Sequence, residues 1–165
     1  MAAKHGSTTE LHYREAVGRH FEHFAVGDVY NHQPGRTISE TDNTWFTLLT
    51  MNAHPLHFDV AYASNSEFGR PLVNSCLTLS MVVGMSVRDL SQNAVANLGW
   101  DKIKLTAPVF VGDTIYASSK VLATRESRSR PNQGIVTVLT TGRKADGTEF
   151  MHFERAFLVP KHEKG

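Results

Sequence analysis

The sequence predicts an α+β fold in which an antiparallel β-sheet wraps around one buried helix. The segment Cys76–Val87 is apolar or small on every side until Arg88, which is typical of a helix surrounded by other protein. It is too short to span a bilayer. From Asn97 onward, runs of β-branched and aromatic residues alternate with turn residues, which favours antiparallel strands. We place the buried helix over about Ser75–Val87.

The chain before this helix predicts extended segments followed by a short helix. Two extended segments are expected, over Phe21–Tyr30 and Gly35–Ile38. Ser39–Asp42 supplies helix-capping residues. Trp45, Leu48 and Leu49 follow at i, i+3 and i+4 spacing, which predicts an amphipathic helix that ends near Asn52.

Pro55 separates this helix from the next segment. Proline interrupts a helix and biases the preceding His54 toward an extended backbone, so His54 and His57 are expected on a stiff turn. Asp59–Phe68 has the composition of another short helix, and Gly69–Pro71 marks its end.

The β-rich half predicts a sheet of at least four strands. The candidate strand segments are Val109–Val111, Thr114–Val121, Gly134–Thr141 and Phe150–Val159. Between the last two, Ala145–Thr148 contains an Asp-Gly pair that is typical of a hairpin turn.

The bulk composition indicates an ordinary globular domain. The chain has 165 residues, of which 41% are hydrophobic and 20% charged, and its net charge of +1 gives no overall field that would attract nucleic acid. No apolar run is long enough for a membrane span, and the single cysteine, Cys76, fits a reducing, cytoplasmic compartment. We expect a flexible arm over residues 1–18, a single domain over 19–160 and a tail over 161–165.

His57 is the leading candidate for chemistry. Imidazole exchanges a proton near neutral pH, and the Pro55 turn would hold the ring in place. The alternative is a histidine that merely anchors the loop. A metal site formed by His54, His57 and Asp59 is not predicted, because the spacing is not the i, i+4 pair on one helix and Pro55 breaks the helix that such a pair needs. No metal or cofactor is expected.

The start of the buried helix is a second candidate site. Asn74 or Ser75 is expected to cap it, and backbone N–H groups at Ser75 and Cys76 could also stabilise an oxyanion, since both roles use the same geometry. Cys76 itself is expected to pack as a small apolar residue. Three arginines in six residues, Arg125, Arg128 and Arg130, favour either anion binding or a solvated loop.

Four blocks of the sequence, spread over most of Phe21–Pro160, carry a resemblance to a known family: Ile38–Asp42, His54–Asp59 with Tyr62 and Ala63 behind it, Phe68–Val73, and Pro108–Thr114. They resemble the MaoC-like, (R)-specific enoyl-CoA hydratases. This resemblance implies a hotdog fold, a strongly bent antiparallel sheet around a central helix. It also implies a homodimer, or a higher assembly such as a dimer of dimers or a hexamer, with the active site at a subunit interface. The implied activity is reversible addition of water to a 2-enoyl-CoA thioester, carried out by an Asp and a His five residues apart.

The chain departs from that family pattern at the site itself. His57 occupies the position of the family histidine, but Asn52 stands where the aspartate is expected and His54 replaces an asparagine. Asn74 and Ser75 stand where many members have His-Gly. An amide cannot accept a proton at neutral pH, although it can hold a water. His57 would therefore carry the acid–base chemistry, assisted by Asn52 and by another group such as Asp42, Asp59, His54 or the substrate.

The block Asn52–His57 also resembles a single-domain branch that hydrates mesaconyl-CoA or itaconyl-CoA, whose acyl chains carry a second carboxylate. Carboxylate or CoA-phosphate partners would then be found among Arg70, Arg125, Arg128 and Arg130, with His54 and Asn74 as further substrate contacts. The expected function is a hydratase of a short, carboxylated enoyl-CoA. The alternatives are an acyl-CoA thioesterase and a catalytically silent CoA-thioester-binding subunit.

Overall fold

The computed structural model describes residues 18–162. The helices are α1 (Glu40–Leu49), α2 (Val60–Ser64) and α3 (Ser75–Ser86), and the strands are β1 (Val29–Thr37), β2 (Ala96–Leu105), β3 (Thr114–Glu126), β4 (Gln133–Lys144) and β5 (Glu149–Pro160). Short 3₁₀ turns cover Phe21–His23 and Pro55–His57, and a π-helical turn, Val87–Ser91, follows α3. The predicted arm lies outside the described residues apart from Gly18, as do residues 163–165 of the predicted tail.

The five strands of this range form one antiparallel sheet in the order β1-β3-β4-β5-β2, with β1 and β2 at its edges. The Asp-Gly turn joins β4 to β5 as predicted. Val109–Val111 was expected to be a strand, and this is wrong. It belongs to the loop before β3, where Phe110 makes an isolated bridge to Leu72 and Gly112 adopts a φ of +93° that side chains rarely allow.

The core between sheet and helix consists of two apolar clusters. One lies toward the start of α3 and contains Ile38, Leu77, Val82, Ile115, Phe150 and Phe153. The other lies toward its end and contains Phe24, Leu90, Val121, Val136, Val138 and Phe157. Along β3 the inward positions run from Ala117 in the first cluster through Ser119 to Val121 in the second, and along β5 they run from Phe153 through Arg155 to Phe157. A polar layer therefore separates the two clusters.

The predicted amphipathic helix α1 exists, but its most apolar side does not face the core of a single chain. Trp45 is 74% exposed and Leu49 is 84% exposed, whereas the polar Asn43 and Thr47 are buried. Residues on both faces of α1 recur with the helical period. The face with the hydrogen-bonding side chains is the one that packs inward.

The central helix is likewise covered on one side. Its buried residues are Leu77, Thr78, Val82 and Ser86. Cys76, Ser80 and Gly84 form an exposed stripe on the other side. The predictions that this helix is buried on every side and that Cys76 packs as an apolar residue are therefore wrong for a single copy of the chain. A single sheet covers only one face of a helix. None of the helices in the described range is long and apolar enough to cross a membrane.

Candidate active site

The two histidines lie on a short, well-capped turn after α1, as the proline predicts. Pro55 is the first residue of the 3₁₀ turn, and Nδ1 of His54 accepts a hydrogen bond of 3.1 Å from the N–H of Leu56. Oδ1 of Asn52 accepts a bond of 3.1 Å from the N–H of His54. His54 and Asn52 thus stabilise the turn that displays His57.

His57 is held in one tautomer. Its Nδ1 lies 2.8 Å from the carbonyl oxygen of Leu72. Because a carbonyl oxygen only accepts, Nδ1 carries a hydrogen and Nε2 is the nitrogen that gains and loses a proton. No described residue forms a hydrogen bond with Nε2. The ring is therefore oriented at one nitrogen and available at the other, as general acid–base catalysis requires.

A buried amide, which the sequence did not reveal, joins the His57 turn to the start of α3. Nδ2 of Asn43 donates to the carbonyl oxygens of His57 (2.7 Å) and Leu72 (3.2 Å), while its Oδ1 accepts from the N–H of Asn74 (2.9 Å). Thr47, one turn later on α1, accepts a bond of 3.2 Å from Nδ2 of Asn74. Asn43 and Thr47 are small polar residues at i, i+4 spacing, and this spacing could have indicated the buried face. The apolar residues on the opposite face of α1 formed a more prominent pattern.

A cavity of about 200 Å³ lies beside His57. Its lining includes the ionisable residues Glu40 and Arg70 and the apolar Phe58, Val60 and Val111. The guanidinium of Arg70 stacks on Phe110 at 3.9 Å from the ring centre. Sequence reasoning missed Glu40, the first residue of α1, and Asn52 does not line this cavity.

The start of α3 faces a different space. Asn74 caps the helix, and its Oδ1 accepts the N–H of Cys76 at 2.9 Å, so of the two predicted oxyanion donors Ser75 N–H is the one that remains available. Ser75 lines a second, mostly apolar cavity of about 330 Å³, bounded by Leu72 and by the loop that precedes β3. One chain does not present Ser75 and His57 to the same cavity.

The arginine cluster is far from His57 within one chain. Arg125 lies near the end of β3, and Arg128 and Arg130 lie in the exposed hairpin that follows. The His57 site adjoins the start of β3, and from Thr114 to Arg125 the strand extends about 36 Å at about 3.3 Å per residue. Arg70 is thus the one predicted arginine that the fold brings to His57.

The nearby aspartates have structural roles. Asp59 caps α2 through a bond of 2.9 Å from the N–H of Tyr62. Asp42 forms a capping box with Ser39 and an ion pair of 2.6 Å with Arg36. The bond from the Ser39 N–H, followed by the other contacts, lowers the pKa of Asp42. Both carboxylates are engaged as helix caps.

Comparison with known proteins relates this geometry to a family. A family model described as mesaconyl-CoA hydratase matches residues 7–164. The mesaconyl-CoA hydratase of Haloarcula hispanica is 33% identical over 147 residues, which are 88% of this chain and 41% of that protein. The chain thus spans about two fifths of the length of the curated relatives it matches.

Solved structures agree on the fold. A MaoC domain protein from Chloroflexus aurantiacus superposes with a TM-score of 0.84 at 31% identity, over 88% of this chain and 41% of that one. A double-hotdog protein of Mycobacterium tuberculosis superposes with a TM-score of 0.82 at 22% identity, over 90% of this chain and 46% of that one. The hotdog architecture and the MaoC-like resemblance are confirmed, and the chain belongs to the mesaconyl-CoA hydratase family.

Proposed function

We propose that this chain reversibly hydrates a short, carboxylated enoyl-CoA thioester such as mesaconyl-CoA or itaconyl-CoA, with Nε2 of His57 transferring the proton. The observation that carries the proposal is the Nδ1 contact to the Leu72 carbonyl, which leaves Nε2 open to a substrate or water beside a cavity. Family membership supports the class of reaction, since the curated relative is named as a mesaconyl-CoA hydratase.

The proposed chemistry balances with water alone. The water oxygen bonds to C3 of the enoyl chain while one of its protons passes to Nε2 of His57. The electrons of the double bond move toward the thioester, and C2 then receives the proton held by Nε2 of His57, so His57 is regenerated and the sum is addition of H and OH. Removal of water is the reverse sequence.

Arg70 is the proposed partner of the second carboxylate of the substrate. It lines the same cavity as His57, and stacking on Phe110 restricts its guanidinium. Guanidinium binds a carboxylate through two parallel hydrogen bonds. Crotonyl-CoA, which lacks this carboxylate, should therefore be a poorer substrate.

Two residues are candidates to assist His57. Asn52 has its oxygen engaged by His54 N–H, so its NH₂ group is the part that can hold the water. Glu40 is the carboxylate that lines the cavity, and it can supply the proton transfer that the family pattern assigns to an aspartate. Glu40→Gln and Asn52→Ala separate the two roles. Loss of a proton-transfer group lowers kcat by about 10² or more. Loss of one hydrogen bond to the water, worth about 1 kcal/mol, lowers it by about tenfold or less.

The deciding experiment is a substrate panel. Purified protein is mixed with mesaconyl-, itaconyl- and crotonyl-CoA, and loss of the enoyl-thioester absorbance is followed together with a mass gain of one water. His57→Gln is the inactive control. Release of free CoA thiol would instead indicate a thioesterase, and tight binding without turnover a silent binding subunit. Either result rejects the hydratase proposal.

The active unit is proposed to contain two copies of a single domain, residues 19–160. Leu98, Trp100, Ile103 and Leu105 are all exposed on the edge strand β2. An exposed apolar edge strand favours pairing with another chain. The double-hotdog protein contains two such domains in one chain, and here a second copy would take the place of the second domain. Light scattering should report at least a dimer, and Ile103→Glu should shift it toward monomer.

The cytoplasmic location remains a prediction from the sequence.

A further inference from the structure

Three histidines meet at the end of the sheet opposite His57. His20 precedes the 3₁₀ turn Phe21–His23, His23 is the last residue of that turn, and His162 follows β5. One nitrogen from each ring lies within 4.8 Å of one nitrogen from each of the other two, and Nε2 of His23 lies 2.9 Å from Nε2 of His162. The rings of His20 and His162 stack with their centres 4.2 Å apart. The cluster is at the surface, where water and ions reach it.

The two segments are held together by contacts that do not use the imidazoles. The backbone N–H of His162 donates to Glu22 at 3.1 Å, which joins the two segments, and the N–H of Lys161 donates to the carbonyl of Asn132 at 2.9 Å, which holds the end of β5 against the loop before β4. On the other side, Phe24 is buried in the second apolar cluster.

Gly134 of β4 packs against the turn Phe21–His23 and helps to hold it in place. Phe21 packs directly over it, in space that a Cβ at Gly134 would occupy. The backbone therefore brings the three rings together before any ligand arrives, and little ordering is needed for them to act as a unit.

The spacing is compatible with a small cation, and the closest pair is hydrogen-bonded at 2.9 Å. Three imidazoles bound tetrahedrally to zinc, at about 2.0–2.1 Å from the metal, have their nitrogens about 3.4 Å apart. The closest pair already approaches this distance, and the third ring needs a small shift. Imidazole nitrogens prefer Zn²⁺, Cu²⁺ and Ni²⁺, whereas Mg²⁺ and Ca²⁺ prefer oxygen ligands.

Binding breaks two hydrogen bonds, and the first is the 2.9 Å contact between Nε2 of His23 and Nε2 of His162. In the second, Nδ1 of His23 accepts a bond of 3.1 Å from the N–H of His20, and coordination through Nε2 requires the proton of the neutral ring to lie on Nδ1. Both bonds are exposed, and each contributes about 1 kcal/mol. Structural zinc sites bind with about 10 kcal/mol or more, so the loss of both does not prevent coordination.

We propose that His20, His23 and His162 form a binding site for one divalent transition-metal ion of the zinc class. Water would fill the remaining coordination positions. The site is separate from the His57 cavity, and it links the segment before β1 to the end of β5. The proposal does not depend on the proposed hydratase activity.

The test is metal binding by the full chain after treatment with EDTA. Calorimetry with ZnCl₂ should give one equivalent bound per chain, with a rise in Tm, and MgCl₂ should give neither. His23→Gln and His162→Gln should each weaken Zn²⁺ binding by at least about tenfold, since each removes a ligand. His152→Gln is the matched control, because His152 lies on β5 but pairs with Glu149 at 2.8 Å.

Circular dichroism without metal checks that the variants are folded. Hydration by both cluster variants should match that of the parent chain, because the cluster is distant from His57. Zn²⁺ binding that is equal in the parent chain and in both variants would overturn the proposal. So would the absence of stoichiometric binding to the parent chain.

Discussion

A hydrogen-bonded histidine lies near each end of the central helix, and the difference between the two separates the proposed reactive group from a structural one. At the start of α3, His57 is anchored through Nδ1 to the Leu72 carbonyl and is open at Nε2. At the other end, His32 is 1% exposed and uses both nitrogens, with Nδ1 2.7 Å from Asp89 and Nε2 2.9 Å from Ser119.

The buried array resembles a catalytic triad in its residue types and distances, but not in access. The hydroxyl oxygen of Ser119 also lies 2.8 Å from that of Thr140 and forms a hydrogen bond with it. His32, Ser119 and Thr140 are all buried. Asp89 is supplied by the π-helical turn, which continues α3 and points the carboxylate back at the sheet. The hydrogen bonds of this array connect β1, β3 and β4 to the turn that follows α3. Each of its polar groups is already bonded to another member of the array.

A histidine beside an acid and a hydroxyl is therefore not enough to indicate catalysis. One free ring nitrogen, one fixed nitrogen and a cavity large enough for a substrate are the features that set His57 apart. Substitution of His57 should therefore lower the reaction rate, whereas substitution of His32 should lower the stability of the fold.

The largest expected effect is on catalysis at His57. His57→Gln removes the proton-transfer group and should lower kcat for mesaconyl-CoA by about 10²–10⁴-fold, with the free energy of unfolding changed by less than about 1 kcal/mol. Steady-state kinetics and urea denaturation measure the two. His152→Gln, a residue that does not line the cavity, is the control and should retain most of the activity. Full activity of His57→Gln would remove the distinction between the two ends.

The next largest effect is on stability at His32. His32→Leu leaves Asp89 without its imidazole partner and Ser119 with Thr140 alone, and should lower the free energy of unfolding by about 2–4 kcal/mol. At temperatures where the variant is folded, kcat should stay within about twofold of the parent value, since the array does not reach the cavity. A large loss of kcat in the folded variant would show that the buried array participates in the reaction.

A third substitution should stabilise the protein. Arg155 is 1% exposed, and its Nη2 contacts Ser91 at 3.2 Å, while Nε and Nη1 have no hydrogen-bond partner within residues 18–162. Burial lowers its pKa to about 10. Arg155→Met should raise the free energy of unfolding by about 1–3 kcal/mol, because it removes unpaired buried polar groups and keeps apolar volume. Urea denaturation at pH 7 measures this, and destabilisation would reveal a partner that Arg155 needs.

The smallest effect is a pH dependence of stability. Burial, opposed by Asp89 and reinforced by Arg155, lowers the pKa of His32 below its ordinary value of 6.5. The unfolded chain therefore takes up the proton first, so the stability present above pH 6.5 is lost as pH falls through the lowered folded pKa. The slope from this group is at most about 1.4 kcal/mol per pH unit.

His32→Gln provides the measurement for this prediction. The difference in unfolding free energy between the parent chain and the variant should shrink as pH falls below 6.5. A difference that stays constant between pH 7 and pH 5 would mean that His32 is not kept neutral by the fold.

Local features were predictable because their causes lie within a few residues. The Pro55 turn, the Asp-Gly hairpin and the capping of α1 by Ser39 depend on backbone restrictions and on side chains next to the backbone they bind. The central helix was recognised because no side of it is strongly polar. His57 was identified as the leading candidate from the same local pattern.

Pairings between distant segments were not predictable. Asn43 reaches the carbonyl of Leu72, His32 reaches Asp89, and His20 and His23 meet His162. Spacing in the sequence holds no information about such contacts, because the sheet and the helix determine which distant residues become neighbours. The choice between the two faces of α1 depended on the same contacts.

By itself, the sequence determined an α+β chain with a central helix, a rigid histidine turn and a sheet joined by short turns, because short-range sterics and the period of apolar residues specify these elements. The tertiary structure alone decided which histidine is open and which is closed. That outcome depends on burial and on hydrogen-bond partners up to 87 residues away, and these exist only after the strands pair around α3.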